Sequence, residues 1–345
     1  MMKKIGVFLM LFILVAIILL PGCDDENTLY VYNWGDYMDK SVIKQFEEEY
    51  GVKVKYQTYT TNEDMYVKIN SGSAKYDIIF PSEYMLHRMA QEGLLQSINL
   101  NNIPNFALID DIFKNAEYDP GNVYSVPYLW GTVGILYNKS MVNETVDSWD
   151  ILWDKKYEKK ILMVDSQRDS IGVALKRLGY SMNSTLEKEI DEAKESLIEQ
   201  KPLVLAYVVD EARDKMINNE AALAVVWSGE AILAMAENDD LAYAYPKEGS
   251  NIWYDCVAIP ATSTKKDLAE KFINFLCRTD IAYLNAEYTG YSSPQMEVVE
   301  QLDEELRNNP TAYPSNEIIS NCEVFKYIGD FVEYYNKAWI EITAN

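Results

Sequence analysis

The hydrophobic and polar positions that follow the N-terminal segment predict a strand, a helix and a second strand. Residues 29–34 form an apolar, aromatic and β-branched run that ends at Gly35, which is typical of a strand. Apolar residues recur at helical spacing over 42–50, with charged residues on the opposite face. Residues 51–56 alternate apolar and polar positions as a half-exposed strand does. This order predicts a βαβ unit with parallel strands and a right-handed crossover.

Similar patterns continue along the chain without a linker rich in Pro, Gly or Ser. Helices are predicted at 62–70, 84–91 and 185–200, and strands at 77–80, 134–138, 160–164, 203–208, 221–228, 241–245 and 254–259. The predicted fold class is α/β with two lobes, each a mixed, mostly parallel sheet flanked by helices, and with a ligand cleft at the hinge. We expect residues 29–131 plus 254–299 to form lobe 1 and residues 132–253 plus 300–345 to form lobe 2, with the strand at 134–138 crossing between them.

The N-terminal segment has the pattern of a signal peptide. Two lysines precede an uncharged apolar stretch over 5–20, which is too short for a secure membrane span. The sequence Leu20-Pro21-Gly22-Cys23 then resembles the bacterial lipobox, in which the cysteine after the cleavage site carries diacylglycerol. We expect residues 1–22 to be removed, Cys23 to be the lipidated first residue, and residues 23–28 to be a tether. A free or disulfide-forming thiol after an ordinary signal peptide is the alternative.

The charge of the chain narrows the class of partner. There are 31 Lys and Arg against 54 Asp and Glu, a formal net charge of −23. Nucleic acids and anionic membrane surfaces are polyanions, so the charge argues against both as partners. Cationic ligands are compatible with it, although a need for solubility alone would also explain the acidic balance.

The sequence lacks the residues that zinc sites and several classes of enzyme require. Beyond Cys23 the cysteines are Cys256, Cys277 and Cys322, and the only histidine is His87, so neither a zinc site nor a Cys/His nucleophile is predicted. One disulfide with a spare thiol stays open. Phosphate-binding, GxSxG and HExxH motifs are missing. Asp165 and Asp169 would lie side by side at a helix start rather than flank a scissile bond. We therefore expect neither an enzyme nor a metal or organic cofactor.

Most of the candidate binding residues follow predicted strands, where ligands of open α/β sheets bind, while Trp253 precedes the last strand, Asp255 lies inside it and Tyr291 follows a Thr-Gly turn. They are rings and carboxylates with almost no basic residues: Trp34, Asp36 and Tyr37; Ser82 and Tyr84; Asp165 and Asp169; Trp227 and Glu230; Trp253, Asp255 and Tyr291. This combination suits an amine, because a cation on a ring face gains about 0.5 to 2 kcal/mol and carboxylates accept its hydrogen bonds. Sugars also bind to rings and acids, so a carbohydrate stays an alternative.

Each candidate also has a structural explanation. A Trp at a strand end often packs in the core, and an aspartate such as Asp165 or Asp169 can cap or begin a helix. Glu230 follows a strand and is more simply interpreted as a helix start. Asp255 differs from these, because it lies inside an apolar strand where an unpaired carboxylate is costly.

Together these residues resemble the spermidine/putrescine-binding proteins of polyamine ABC transporters over essentially the whole mature chain. The segments that carry the resemblance are YVYNWGDY at 30–37, YDIIFPS at 76–82, VPYLWG at 126–131, VWSG at 226–229, YPKEG at 245–249, WYD at 253–255 and GY at 290–291. The resemblance implies a type II periplasmic-binding-protein fold that closes on a polyamine. It also implies a monomeric receptor, periplasmic or anchored to the outer face of the cytoplasmic membrane, that delivers ligand to an ABC permease and its ATPase.

The resemblance assigns roles position by position. Rings that box the methylene chain correspond to Trp34, Tyr37, Tyr84, Trp227, Trp253 and Tyr291. Acids that hold amino groups correspond to Asp165, Asp169 and Asp255, and Asp36 and Ser82 correspond to polar positions of the cleft. A sensor or adhesin that serves no permease is the remaining alternative.

Four positions depart from the family pattern. Phe325 stands where the family has a glutamine, Val209 where it has a serine, and Asp169 where it has a glutamate, while Glu230 is an added acid. Two polar side chains are thus replaced by apolar ones and one acidic side chain is shorter, so the choice between putrescine and spermidine stays open.

Replacement of Asp255 with alanine tests the central acid of this hypothesis. If Asp255 pairs with a desolvated ammonium, the substitution costs about 2 to 5 kcal/mol of binding free energy. Titration calorimetry of the variant measures this reduction. A dissociation constant equal to that of the unmodified protein would remove Asp255 from the site.

Overall fold

The computed structural model describes residues 27–73 and 75–344. The predicted signal peptide at 1–22, the lipidation site Cys23 and tether residues 24–26 lie outside the described residues. Within the described part of the chain, no helix is both long and apolar enough to cross a membrane.

The described strands form one nine-stranded sheet. They are β1 (Thr28–Trp34), β2 (Lys53–Tyr59), β3 (Ile78–Ile79), β4 (Ser125–Asn138), β5 (Ile161–Val164), β6 (Val204–Val208), β7 (Leu223–Trp227), β8 (Leu241–Ala244) and β9 (Ile252–Ala258). Their spatial order is β2-β1-β3-β9-β4-β7-β5-β6, and β8 also pairs with β4. The pairs β1–β2, β1–β3, β5–β6 and β5–β7 are parallel. Every antiparallel pair involves β4 or β9.

Strand β4 belongs to both halves of the sheet. Its first part, from Ser125 to Thr132, pairs with β9. Its second part, from Val133 to Asn138, pairs with β7 and β8. The α/β class and the mixed sheets are therefore confirmed, whereas the lobe boundaries and the crossing of the chain between the lobes stay predictions.

Helices cover the sheet on its faces. They are α1 (Lys40–Tyr50), α2 (Asn62–Asn70), α3 (Glu83–Gln91), α4 (Gln167–Arg177), α5 (Glu187–Gln200), α6 (Glu211–Ile217), α7 (Ser228–Glu237), α8 (Lys266–Leu276), α9 (Thr279–Thr289), α10 (Met296–Gln301), α11 (Glu304–Arg307), α12 (Asn316–Ser320) and α13 (Phe331–Ala344). Short 3₁₀ helices lie between α3 and β4, between β4 and β5, and between α5 and β6.

Helix α1 illustrates how the sequence sets an element. The Asp39 side chain accepts a hydrogen bond from the Ser41 amide at 2.6 Å and caps the N-terminus. Gly51 ends the helix in the left-handed conformation, at φ 66°, that glycine adopts without a steric penalty. The buried Phe46 packs edge-on against Phe272 of α8. These contacts fix the helix that follows β1, and with it the loop at 35–37.

Among the predicted boundaries that differ from the structure, two concern the strands at the centre of the sheet, β4 and β9. β4 begins at Ser125, nine residues before the predicted start at 134. A register shift between Pro127 and Leu129 interrupts its ladder, and Gly131 lacks a side chain, so this part does not have the pattern of a strand. Trp253, predicted to precede the last strand, lies inside β9 opposite Gly131. The three described cysteines, Cys256, Cys277 and Cys322, are free thiols.

Candidate ligand-binding cleft

A cavity of about 840 Å³, counted to its mouth, lies where the carboxyl ends of several strands meet β9. Its aromatic lining is Trp34, Tyr37, Tyr59, Tyr84, Trp227, Trp253, Tyr291 and Phe325, and its acidic lining is Asp36, Glu63, Glu83, Asp169, Asp210, Glu230 and Asp255. Among the described residues, no Lys, Arg or His lines the cavity. The cavity therefore favours a ligand that is both cationic and partly apolar.

The rings pack on one another to form one wall. Trp253 meets Tyr291 edge-on at 5.1 Å between centroids, and Tyr291 meets Tyr37 at 5.5 Å. Two glycines make this packing possible. A Cβ on Gly131 would lie 2.5 Å from Cζ2 of Trp253, and one on Gly229 would lie 2.5 Å from the Tyr291 ring. Any larger residue at either glycine would displace a ring of the wall.

A second pair of rings is held by the backbone of the segment after β3. The Trp34 indole donates its Nε1–H to the Phe80 carbonyl at 2.8 Å, and the Tyr59 hydroxyl donates to the same carbonyl at 2.6 Å. The two rings lie 4.7 Å apart. Since their polar atoms are bonded to the backbone, both rings present apolar surface to the cavity.

Asp255 lies at the centre of the cleft and is 4% exposed. The Ser82 hydroxyl donates to its Oδ1 at 2.6 Å, across an antiparallel bridge between the two residues. Burial raises the pKa of Asp255 to about 7, and the Ser82 and Tyr37 hydroxyls offset part of that rise. A cation beside this carboxylate would restore its ionised form.

Asp169 begins α4 on the other side of the cavity and is 6% exposed. Its Oδ2 accepts from the Ser166 hydroxyl at 2.6 Å. Burial raises the pKa of Asp169 to about 6, an effect that Ser166 and Arg168 reduce and Glu63 increases. Asp169 also raises the pKa of Asp255 by charge repulsion. These mutual effects place Asp255, Asp169 and Glu63 in one acidic group.

Glu63 and Glu83 are acids that the sequence pattern did not single out. Glu63 accepts from the Tyr84 hydroxyl at 3.1 Å, and burial raises its pKa. Glu83 is fully buried and accepts from the Tyr254 amide at 2.8 Å. Burial raises the pKa of Glu83 to about 8. Both residues stand near the start of a helix that follows a strand, the position that identified the other candidates.

A basic residue, Arg168, lies behind Phe325 at one end of the cleft and is not part of the lining. It is 3% exposed and donates to the Lys326 carbonyl at 3.1 Å and to the Asn183 side chain at 3.0 Å. Its guanidinium packs 4.5 Å from the Phe325 ring centroid. Phe325 in turn meets Tyr84 edge-on at 5.9 Å. The aromatic residue at 325 thus closes this end of the cavity with an apolar surface.

Four carboxylate or amide oxygens of the lining are buried and accept no hydrogen bond. They are Oε1 of Glu83, Oδ1 of Asp169, Oε2 of Glu230 and Oδ1 of Asn251. A buried acceptor without a donor costs about 1 to 3 kcal/mol, and more when it is charged. A ligand rich in N–H donors would relieve this cost at several points of the same cavity.

The structure brings together ten of the eleven residues predicted for the site. The ten that line the cavity are Trp34, Asp36, Tyr37, Ser82, Tyr84, Asp169, Trp227, Trp253, Asp255 and Tyr291. Asp165 is exposed at the end of β5 and does not line it, whereas the next residue, Ser166, does. Val209 and Phe325, the two positions at which the resemblance implies a polar side chain, also line the cavity.

Comparisons with known proteins agree with this geometry. A family model for bacterial extracellular solute-binding proteins matches residues 41–314. The spermidine/putrescine-binding periplasmic protein of Salmonella typhimurium is 38% identical over 319 residues, covering 91% of this chain and 92% of that protein.

Two solved structures extend the likeness to the fold. A Listeria monocytogenes protein described as a candidate spermidine/putrescine ABC transporter has a TM-score of 0.90 at 41% identity, and the match covers 92% of this chain and 99% of that one. A Treponema pallidum lipoprotein has a TM-score of 0.82 at 29% identity, covering 91% and 99%.

The class defined by the fold and the cleft is therefore that of a substrate-binding protein with the type II periplasmic-binding fold. The chain belongs to the family of bacterial extracellular solute-binding proteins. This family consists of solute-binding proteins and is not a class of enzymes.

The raised pKa values predict how stability depends on pH in the absence of ligand. Asp255, Asp169, Glu230 and Glu83 have pKa values of about 7, 6, 7 and 8 in the folded chain, above the ordinary value near 4. Between pH 4 and 8 the folded state therefore binds more protons than the unfolded state. Stability should fall as pH rises through this window, by up to about 1.4 kcal/mol per pH unit for each such group.

Thermal unfolding of ligand-free protein between pH 5 and 8 measures this dependence. Asp255→Asn should show a shallower fall than the unmodified protein, since one raised pKa is removed. Identical slopes for the two proteins would contradict the role given to Asp255.

Proposed function

We propose that this protein captures a polyamine, spermidine or putrescine, and delivers it to an ABC permease and its ATPase. The observation that carries the proposal is the lining of the cleft, where seven acids and eight rings meet without a basic residue among those described. The names of the Salmonella and Listeria relatives support the same ligand class.

The chemistry of a polyamine matches the two kinds of surface in the cleft. Each protonated amine supplies two or three N–H donors, which suit Asp255, Asp169 and the buried acceptors near them. The methylene segments between amines are apolar and pack on ring faces such as that of Trp253. A sugar supplies hydroxyls but no positive charge, so it would leave the repulsion among the acids in place.

Residues on separate parts of the chain give the ligand a means of closing the cleft. Asp255 and Trp253 come from β9, while Asp169 comes from α4, which follows β5. A ligand that contacts both groups stabilises the arrangement in which they face each other. The closed, loaded monomer is the form that we propose the permease recognises.

The membrane anchor belongs to the same proposal. Cys23 lies in the lipobox-like sequence and would carry the diacylglycerol, with the segment before β1 as the tether; Thr28, predicted to end the tether, is a buried residue of β1. Stable anchoring needs more than one acyl chain. The protein would then act at the outer face of the cytoplasmic membrane or in the periplasm, and the related Treponema protein is itself described as a lipoprotein.

Titration calorimetry with putrescine, spermidine and spermine tests the ligand. The protein should begin after Cys23 and be freed of co-purified ligand by unfolding and refolding. We expect micromolar or tighter binding of at least one polyamine at one site per chain, together with a higher unfolding temperature. Absence of heat and of thermal stabilisation with all three would overturn the polyamine assignment, and binding of a sugar instead would identify the carbohydrate alternative.

Mass spectrometry of the membrane-extracted protein tests the anchor. We expect an N-terminal peptide that begins at Cys23 with the mass of a diacylglyceryl group, and Cys23→Ser should release the protein from the membrane fraction. An unmodified Cys23 in membrane-bound protein would contradict the proposal. His87→Ala, a change at an aromatic residue outside the cleft, serves as a matched control for expression and fractionation.

A further inference from the structure

A second acidic group lies in the cleft, apart from Asp255 and Asp169. It consists of Glu230 at the start of α7, Asp36 after β1 and Asp210 after β6, which all line the cavity. Asp210 and Asp36 raise the pKa of Glu230 by charge repulsion. Their charges are therefore close enough to be felt by one cation.

Glu230 has an incomplete set of partners. It is 9% exposed, and its buried Oε2 accepts no hydrogen bond. The Nη1 of Arg213 lies 3.5 Å from Oε2, and Nη2 of the same guanidinium lies 3.5 Å from Asp36. Charge-assisted hydrogen bonds are usually about 2.7 to 2.9 Å long. Arg213 is thus shared between two acids at long distance and satisfies neither fully.

A role in starting the helix does not explain this placement. An acid in the first turn interacts favourably with the helix dipole even when it is exposed to solvent. Glu230 is instead buried on the cavity side, and α7 has no side-chain cap at its N-terminus. Burial raises the pKa of Glu230 to about 7, so its position is a cost to the empty protein.

We propose that Glu230 binds an ammonium group of the ligand and, with Asp36 and Asp210, forms a second ammonium subsite. Tyr291 lies between the two acidic groups, because its ring packs against Gly229, the residue before Glu230, and against Trp253, two residues before Asp255. A ligand bound along Tyr291 therefore has an acid at each end. This inference rests on the proposed function and states where a second charge of the polyamine is held.

The subsite also explains how the cleft compensates for the apolar side chain at position 209. Val209 lies beside Asp210 in the lining and offers no hydrogen bond from its side chain. Glu230, at the start of α7, contributes a carboxylate to the same acidic group. A carboxylate on α7 thus takes the place of the serine hydroxyl that the family has at position 209.

Replacement of Glu230 with glutamine, which keeps its shape, tests the subsite. Titration calorimetry at pH 7.5 should show binding of spermidine or putrescine at least tenfold weaker than in the unmodified protein. Glu237→Gln is the matched control, since Glu237 is exposed at the other end of α7. Its dissociation constants should be unchanged, and unfolding curves check that both variants are folded.

A dissociation constant within twofold of the unmodified protein, for every polyamine that the unmodified protein binds, would overturn the role of Glu230 alone. Failure of the unmodified protein to bind any polyamine would instead overturn the proposed function and this inference with it. The two failures are therefore distinguishable in one set of titrations.

The double variant Arg213→Gln, Glu230→Gln separates binding from positioning. If Glu230 only restrains Arg213, removal of the arginine should restore the affinity that the single variant lacks. If Glu230 binds the ammonium, the double variant should remain weak. Restoration to within twofold of the unmodified protein would overturn the inference.

Proton release gives an independent readout. At pH 7 the groups that face Glu230 are Arg213, Asp210, Asp36 and Asp214, and part of the Glu230 population is protonated. An ammonium group in contact with it should release that proton, which titrations in buffers of different ionisation enthalpy detect. Glu230→Gln should release fewer protons per ligand bound, and an equal number would contradict direct contact.

Discussion

Burial of several carboxylates beside one another, which adds mutual repulsion to the larger cost of desolvation, is the constraint on which the rest of the cleft depends. Asp255, Asp169, Glu83 and Glu230 are all nearly or fully buried in one cavity. Several of their oxygens lack donors. No basic residue among those described enters the lining, so the empty protein tolerates the repulsion through partial protonation. A cation that enters the cleft pairs with these carboxylates and favours their ionised form, which stabilises the complex. The charge of the ligand is therefore a stronger requirement for binding than its shape.

Much of the fold could be predicted because each element has its own periodic pattern. The strands at 160–164 and 203–208 and the helix at 62–70 agree with β5, β6 and α2 within a residue. The start of β4 could not be predicted, since Pro127 and Gly131 are poor strand formers whose place is set by pairing with β9. Such tertiary pairing is invisible to local patterns.

The site was predictable wherever a residue type and a strand end coincide. Trp34 and Trp227 follow this rule, and so do the overlooked Glu63, Glu83 and Asp210, whereas Asp255 was recognised as an acid inside an apolar strand. These three resemble ordinary acids at a helix start; Glu83 differs from such acids in being fully buried, whereas Glu63 and Asp210 are identified only by their place in the lining. The choice between Asp165 and Ser166 depends on the direction of each side chain at the end of β5, which spacing alone does not determine.

The register of β4 limits how such a cleft can change its ligand. Gly131 pairs with Trp253 of β9 and Val133 with Trp227 of β7, so the two tryptophans lie on the strands that flank β4 and are offset along it by two residues, about 6 to 7 Å. A strand can slip only in whole residues, and a slip of one turns every side chain to the opposite face. The offset between the two indoles is therefore fixed by the register of the sheet. A change to a longer or shorter ligand requires replacement of the side chains around the two rings.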